Sequence, residues 1–247
     1  MTLRTAFVVG AVMLAAAPAS TWSEQEVQFT EAELFFELND TDGDLGIHGS
    51  IDGGPWTSLT IEGPGDRKLL DIISRNNLRR QGLTQLFFES AEPSFEELDP
   101  AAFFRRFPAG RYEIEGVAQD GHELKRTVAL SHVLPAPPGH ILLSGVPAPE
   151  NCDVTPLPTI MTPVVIDWDP VTSSHPEIGA SGRVRIVRYQ LFVEREGVTF
   201  SLDLPPTITR FTVPTGVTRL GKEFKFEIIA RASNLNQTAI ESCFRVN

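Results

Sequence analysis

The chain has 247 residues, is 41% hydrophobic and 21% charged, holds 19 Gly and 19 Pro, and carries a formal net charge of -11. That is a globular composition, long enough for one large or two ordinary domains, and its proline content favours sandwich or loop-rich architecture over long helices. An acidic balance argues against nucleic acid as a partner, because phosphates are met by basic patches.

The N-terminus carries Arg4, then an apolar run over residues 6–17 (AFVVGAVMLAAA), then the small residues Ala17-Pro18-Ala19. This is the pattern of a secretory signal over residues 1–20, cleaved after Ala19 or Ser20. The run is short for a hydrocarbon core of ~30 Å, so an uncleaved anchor fits less well. No cysteine follows it for lipid attachment, and no later stretch is apolar and long enough to span a membrane. The expected location is secreted, periplasmic or cell-surface. Export also gives Cys152 and Cys243 a use. They are the only two cysteines, and an oxidising compartment allows them to bridge. Two buried free thiols are the alternative.

The charge is uneven. Residues 24–133 carry 21 acidic and 10 basic side chains, whereas residues 134–247 carry 11 and 10. The first half therefore suits cations or basic partners, although solubility alone also explains such a surface.

Along the chain, Leu34, Phe36 and Leu38 alternate in a first strand. The turn Asn39-Asp40-Thr41-Asp42-Gly43-Asp44 follows, and a second strand (residues 45–51) runs back. Asp52-Gly53-Gly54-Pro55 reads as another turn, before strands at residues 56–61, 69–73 and 84–89. Residues 75–82 (RNNLRRQG) form a basic island, expected as a solvated loop. Ser94-Phe95-Glu96-Glu97 has capping-box spacing. Asp99-Pro100 is a stronger helix start, with Phe103, Phe104 and Phe107 plugging the open end of a sheet and Pro108 ending the helix. Two further strands (residues 111–117 and 123–133) join through Gln119-Asp120-Gly121, a hairpin signal. About seven short strands with one helical insertion make an acidic β-sandwich over residues 24–134. The proline-rich residues 135–139 then read as a semi-rigid linker.

In the second half, Phe224, Phe226, Ile228 and Ala230 alternate with Lys225, Glu227, Ile229 and Arg231. Tyr189, Leu191 and Val193 alternate with Gln190, Phe192 and Glu194. These are half-buried strands. Together with Val164-Val165-Ile166-Asp167-Trp168-Asp169-Pro170, Thr209-Arg210-Phe211-Thr212-Val213-Pro214 and a last strand over residues 239–246, the order of features over residues 140–247 resembles a fibronectin type III domain. The resemblance implies a core tryptophan at Trp168 and a core tyrosine at Tyr189. Phe224 stands where that family usually has a tyrosine whose hydroxyl bonds back to the chain. The loop between Trp168 and Tyr189 is enlarged and carries Ser173-Ser174-His175-Pro176. No Arg-Gly-Asp triplet suggests integrin-type adhesion. The first half, with FFELNDTDGDLGIH feeding a hairpin, resembles uncharacterised exported bacterial proteins, which implies no activity. The expected fold class is thus all-β, with two immunoglobulin-like β-sandwich domains in tandem.

Chemistry is sparse. Asp40, Asp42 and Asp44 alternate as in the opening of calcium loops. The EF-hand pattern fails where it needs Gly at Leu45 and an acid at Ile51, which leaves an open calcium-stapled hairpin or a plain Asp/Gly turn without an ion. His48, His122, His132, His140 and His175 lack helical zinc spacing and are expected to scatter over the surface. Glu113 and Glu115 share a strand face that looks solvent-directed. Asn39 and Asn236 head N-glycosylation sequons. There is no nucleophile elbow, phosphate loop, dinucleotide fingerprint or Cys-x-x-Cys. The sequence reads as an exported, non-enzymatic module that interacts with a protein or glycan, with calcium or no cofactor. A carbohydrate-active accessory protein or hydrolase with a site in the first half, and a structural spacer, are the alternatives.

Overall fold

The computed structural model describes residues 27–247, so the expected signal peptide lies outside the described residues. The first half contains β1 (Val27–Gln28), β2 (Glu31–Asn39), β3 (Asp44–Gly63), β4 (Arg67–Ile73), α1 (Asn76–Gln81), β5 (Leu83–Glu89), α2 (Pro100–Arg106), β6 (Gly110–Ala118) and β7 (Glu123–Leu130). The second contains β8 (Leu142–Leu143), β9 (Val146–Pro147), β10 (Thr159–Ile160), β11 (Val165–Asp167), β12 (Ile186–Arg195), β13 (Val198–Leu204), β14 (Arg210–Thr212), α3 (Thr215–Thr218), β15 (Glu223–Ala232) and β16 (Gln237–Val246). The chain is all-β, and both halves are sandwiches.

The first half turns on β3. Its start pairs with β2 on one side and β5 on the other, and its end pairs with β6 and β4. The register shifts between Asp52 and Trp56. Asp52-Gly53-Gly54-Pro55 is therefore not the turn its composition suggests. It is a bulged corner at which one 20-residue strand leaves one sheet and enters the other. Glycine lets the backbone bend there while flanking pairing continues. The core between the two layers holds Leu34, Phe36, Leu38, Ile47, Ile51, Trp56, Tyr112 and Ile114, all fully or almost fully buried.

The helix at Asp99-Pro100 forms as expected. The Asp99 carboxylate accepts from the N–H groups of Ala101 and Ala102, and Pro100 occupies the first turn. Phe103 and Phe104 are buried edge-on against Phe36, which makes α2 the plug of this core. The capping-box spacing at Ser94 produces only a turn, in which Glu97 and Leu98 donate to the Ser94 carbonyl. The basic island is not a loop either. Residues 76–81 form α1, with Arg79 and Arg80 in its last turn, where cations suit the helix dipole. Gly82, at φ 76°, ends it.

In the second half, β14–β11–β8–β9 form one layer and β16–β15–β12–β13 face it. Trp168 and Tyr189 meet edge-to-face in the core at 5.5 Å, as the fibronectin type III resemblance implied. Phe224 lacks the corner hydroxyl. The first half supplies a bond of that kind instead: Tyr112, early in β6, donates to the Pro108 carbonyl at 2.8 Å.

The halves do not hang from a free linker. Strand β16 pairs in parallel with β2, through Gln237 with Glu37, Thr238 with Leu38 and Ala239 with Asn39. One sheet thus runs through both sandwiches. Asn236, wholly buried, continues the ladder with its side chain. Its Oδ1 accepts from Phe36 N–H at 2.9 Å, and its Nδ2 donates to the carbonyls of Ser131 at 2.6 Å and Val133 at 2.9 Å. At the other end Thr41 Oγ1 accepts from Glu241 N–H at 2.8 Å. The 135–139 segment is tied down as well, since Thr238 Oγ1 donates to the Pro135 carbonyl at 2.7 Å. The enlarged loop after Trp168 crosses the joint. Ser174 bridges Pro135, His175 N–H donates to the Leu134 carbonyl, and Ile178 packs on the first core.

Candidate functional site

The three aspartates go to three different places. Asp40 Oδ1 meets His175 Nε2 at 2.8 Å, across the joint. Asp42 Oδ2 accepts from Asn39 Nδ2 at 3.3 Å, inside the turn. Asp44 turns inward, where its Oδ1 is buried without a hydrogen-bond partner. Burial, and then the charges of Glu92 and Asp42, push the Asp44 carboxyl up to about 6. Among the described residues, no group of three or more His, Cys, Asp or Glu side chains is arranged to hold a metal ion. Cys152 and Cys243 are bridged, with Cα atoms 4.9 Å apart, which ties the 150s loop to β16.

The histidines do not all lie on the surface. His48 and His175 are buried at 5% and 7% exposure, each because a carboxylate satisfies its ring: Glu92 sits 2.9 Å from His48, and Asp40 serves His175. His132 packs on Phe104 with ring centroids 4.4 Å apart. The sequon at Asn236 is likewise a buried structural tie rather than a modification site. Glu113 and Glu115 both reach Lys125 on the neighbouring strand, at 3.2 and 2.6 Å, as a solvent-facing pair would.

The feature with most chemical content lies on the outer face of the shared sheet. Strands β5, β3, β2, β16, β15 and β12 present their non-core side chains to one side, because side chains alternate along a strand. There they line a trough of about 470 Å³ that crosses the joint. Phe35, Phe87, Phe192 and Ile229 supply apolar surface. Six carboxylates line it (Glu31, Glu33, Glu37, Glu89, Glu92 and Glu227), against the two guanidinium groups of Arg188 and Arg231. Phe87 is 62% exposed, an uncommon setting for phenylalanine on a sheet face.

Arg231 shows how this surface treats a cation. Its guanidinium lies 4.3 Å over the Phe35 ring. One terminal nitrogen donates to Glu33 at 2.5 Å and the other to Gln237 Oε1 at 2.9 Å. Gln237 in turn donates to Glu37. Stacking on an aromatic face while pairing with a carboxylate is the arrangement that suits a planar guanidinium.

The remaining acids crowd one another. Burial, then Glu37 and Glu241, push the Glu227 carboxyl up to about 8. Glu37 is also raised, by burial first, although His48 and Gln237 act against the shift. For His48, burial alone would favour the neutral ring, but the hydrogen bond to Glu92 and the charges of Glu37, Glu92 and Glu89 outweigh it and raise its pKa. Like charges held close on a half-dry surface favour protonation or a cationic guest.

Sequence reasoning missed the trough because its residues come from strands far apart in the chain. A signal was present, however. Phe35 and Phe192 fall on the polar phase of otherwise alternating strands, where an aromatic is not spent on the core.

No protein-family model matches the chain, and no curated protein matches it. Among solved structures it is similar to a tetra-tandem repeat in the extending region of a large adhesion protein, at 11% identity and TM-score 0.29, covering 88% of this chain and 50% of that one. It is also similar to fibronectin(III)-like modules of Clostridium thermocellum CbhA, at 9% identity and TM-score 0.25, covering 92% and 93%. A third likeness is the human OSCAR ligand-binding domain, at 12% identity and TM-score 0.28, covering 90% and 97%. The chain spans half the length of the adhesion-protein repeat it matches. At these TM-scores none of the three bears on what this chain does.

Proposed function

We infer that the chain is an exported, non-enzymatic interaction module that docks a partner on the outer face of its shared sheet. The observation that carries this reading is the aromatic and acidic trough crossing the joint, built from both halves at once. Its carboxylates are spread along an open sheet face and tied to Arg, Gln and His side chains, whereas acid–base catalysis sets two carboxyls across a cleft. The Cys152–Cys243 bridge fits an oxidising compartment. The joint also makes sense here, because a surface shared by two domains works only when both are held in one register.

The test is a ligand panel of peptides and glycans presented to the mature chain, with hydrogen-exchange mapping of every binder. Protection should fall on β2, β5, β12 and β15. Phe192→Ala and Phe87→Ala should each weaken binding without moving the melting midpoint by more than a few degrees. A ligand that maps to the loop ends of either sandwich, with the trough unprotected, would overturn this reading.

A further inference from the structure

The trough contains three Phe–Glu pairs, and only one is filled. Phe35 and Glu33 hold the chain's own Arg231. Phe192 and Glu227 are register partners on β12 and β15. Phe87 and Glu89 share one face of β5, two residues apart. Among the described residues neither Glu227 nor Glu89 makes an ion pair; the salt bridges nearby go elsewhere, Lys225 to Glu241 and Arg188 to Asp203. The exposed ring of Phe87, edge-on to His48 at 6.5 Å, and the partly exposed ring of Phe192 therefore each stand beside a carboxyl group that no guanidinium occupies.

We propose that these two vacant Phe–Glu pairs are guanidinium sockets, and that the ligand of the trough is an extended, arginine-containing peptide segment of a partner protein. This rests on the outer face being the docking surface, and it adds the chemistry of the occupant. Arginine is preferred over lysine because the filled socket uses both faces of its chemistry: a flat cation over a ring, with in-plane N–H donors reaching an acid beside it. A lysine ammonium satisfies the charge but not the stack. The balance of the trough, six carboxyl groups to two guanidinium groups and the His48 imidazole, selects a basic segment over an acidic one. The sockets lie four strand spacings apart across the sheet and are offset along the strands. The separation is roughly 28 Å, which an extended chain covers in about eight residues.

Protonation supports the same reading. Glu227 is faced by Glu37, Glu241 and Glu194 and by Lys225, with Arg188, Arg231 and His48 lining the same trough. A guanidinium arriving in that setting drives the carboxyl to ionise, so binding should release a proton below about pH 8.

The experiment uses the mature chain and a synthetic extended peptide with two arginines about eight residues apart. Isothermal titration in two buffers of different ionisation enthalpy reads affinity and proton release together. Three results are expected: salt-sensitive binding, at least a tenfold loss when both arginines become lysines, and a loss of similar size from either Glu227→Gln or Phe87→Ala. Because these variants act at opposite ends of the trough, a folding defect in one leaves the other to decide. Equal binding of the lysine peptide overturns the guanidinium socket. So does tight trough binding by a glycan or acidic peptide that ignores Glu227→Gln, although the docking surface itself then stands. If no class of ligand protects the trough, both the sockets and the docking surface fall.

Discussion

The joint between the halves hangs on Asn236, and replacing it by alanine is the sharpest test of the architecture. The side chain is fully buried and makes three hydrogen bonds to the first half. Asn236→Ala leaves Phe36 N–H and the Ser131 carbonyl without partners. The Val133 carbonyl keeps a donor, because Asn234 Nδ2 also reaches it at 2.8 Å. Each orphaned buried group costs roughly 1–3 kcal/mol, so the substitution should cost about 4 kcal/mol. For a chain of this size that lowers Tm by about 12 °C.

The measurement is urea unfolding followed separately in each core. Trp56 lies in the first and Trp168 in the second, and both are buried. Neither indole N–H has a hydrogen-bond partner, so Trp→Phe at one of these positions, in a Trp22→Phe background that removes the third tryptophan, isolates the other without breaking a bond. In the parent chain the two probes should report a single coincident transition. In Asn236→Ala that transition should move to lower urea. A cost under about 1 kcal/mol, well below the orphaned-group range, would refute the view that the joint is a structural bond. Two separated transitions in the parent chain would do the same.

Other expectations follow from single features. Reducing the Cys152–Cys243 bridge, which spans 91 residues, or replacing both cysteines by serine, should cost roughly 4–5 kcal/mol by chain entropy, read as a fall in the urea midpoint. Glu227 titrates near 8 in the fold against 4.5 when free, so its contribution to stability is fully present below about pH 4.5 and is lost as pH rises towards 8. Glu227→Gln should therefore match the parent near pH 4 and exceed it by roughly 2 kcal/mol near pH 9, after allowance for partial solvent screening. Because Asp40 and Asp42 face separate partners and Asp44 turns inward without one, EDTA followed by millimolar calcium should leave Tm unmoved. A calcium-dependent rise that Asp42→Ala abolishes would establish the stapled hairpin instead.

Most of the fold was legible because it is written locally. Alternation over Leu34-Phe36-Leu38 and over Phe224-Phe226-Ile228-Ala230 gives strands whose inner residues are all buried, and Asp99-Pro100 starts its helix where capping chemistry says it should. Errors came where one local signal has two tertiary meanings. Asp52-Gly53-Gly54-Pro55 has turn composition, yet the same flexibility serves a strand that changes sheets. His48 and His175 looked like surface residues because their partners, Glu92 and Asp40, are 44 and 135 positions away. Asn236 carried a sequon, and nothing nearby showed that its amide would be consumed by Phe36, 200 residues upstream. The trough was hidden for the same reason, since its six strands become neighbours only after both sandwiches have closed.

The joint and the trough are two sides of one construction. A sandwich normally leaves the edges of its sheets unpaired, and an open edge invites pairing with other chains. Here β2 and β16 spend their edges on each other. Only three register pairs lie between them, so side chains extend the ladder at both ends, Asn236 at one and Thr41 at the other. Every one of these ladder ties is polar, and apart from Ile178 of the long loop, which packs on the first core, the apolar clusters on either side remain separate. Polar ties fix register better than apolar contact does, because a slip of one residue leaves each of them unsatisfied. Register is also what the outer face requires. Phe87 and Glu89 belong to the first half, Phe192 and Glu227 to the second, and a single extended ligand can engage both pairs only if the spacing between them is constant. A joint held by hydrophobic contact would allow the halves to slide; one held by Asn236, Thr41 and a shared ladder does not.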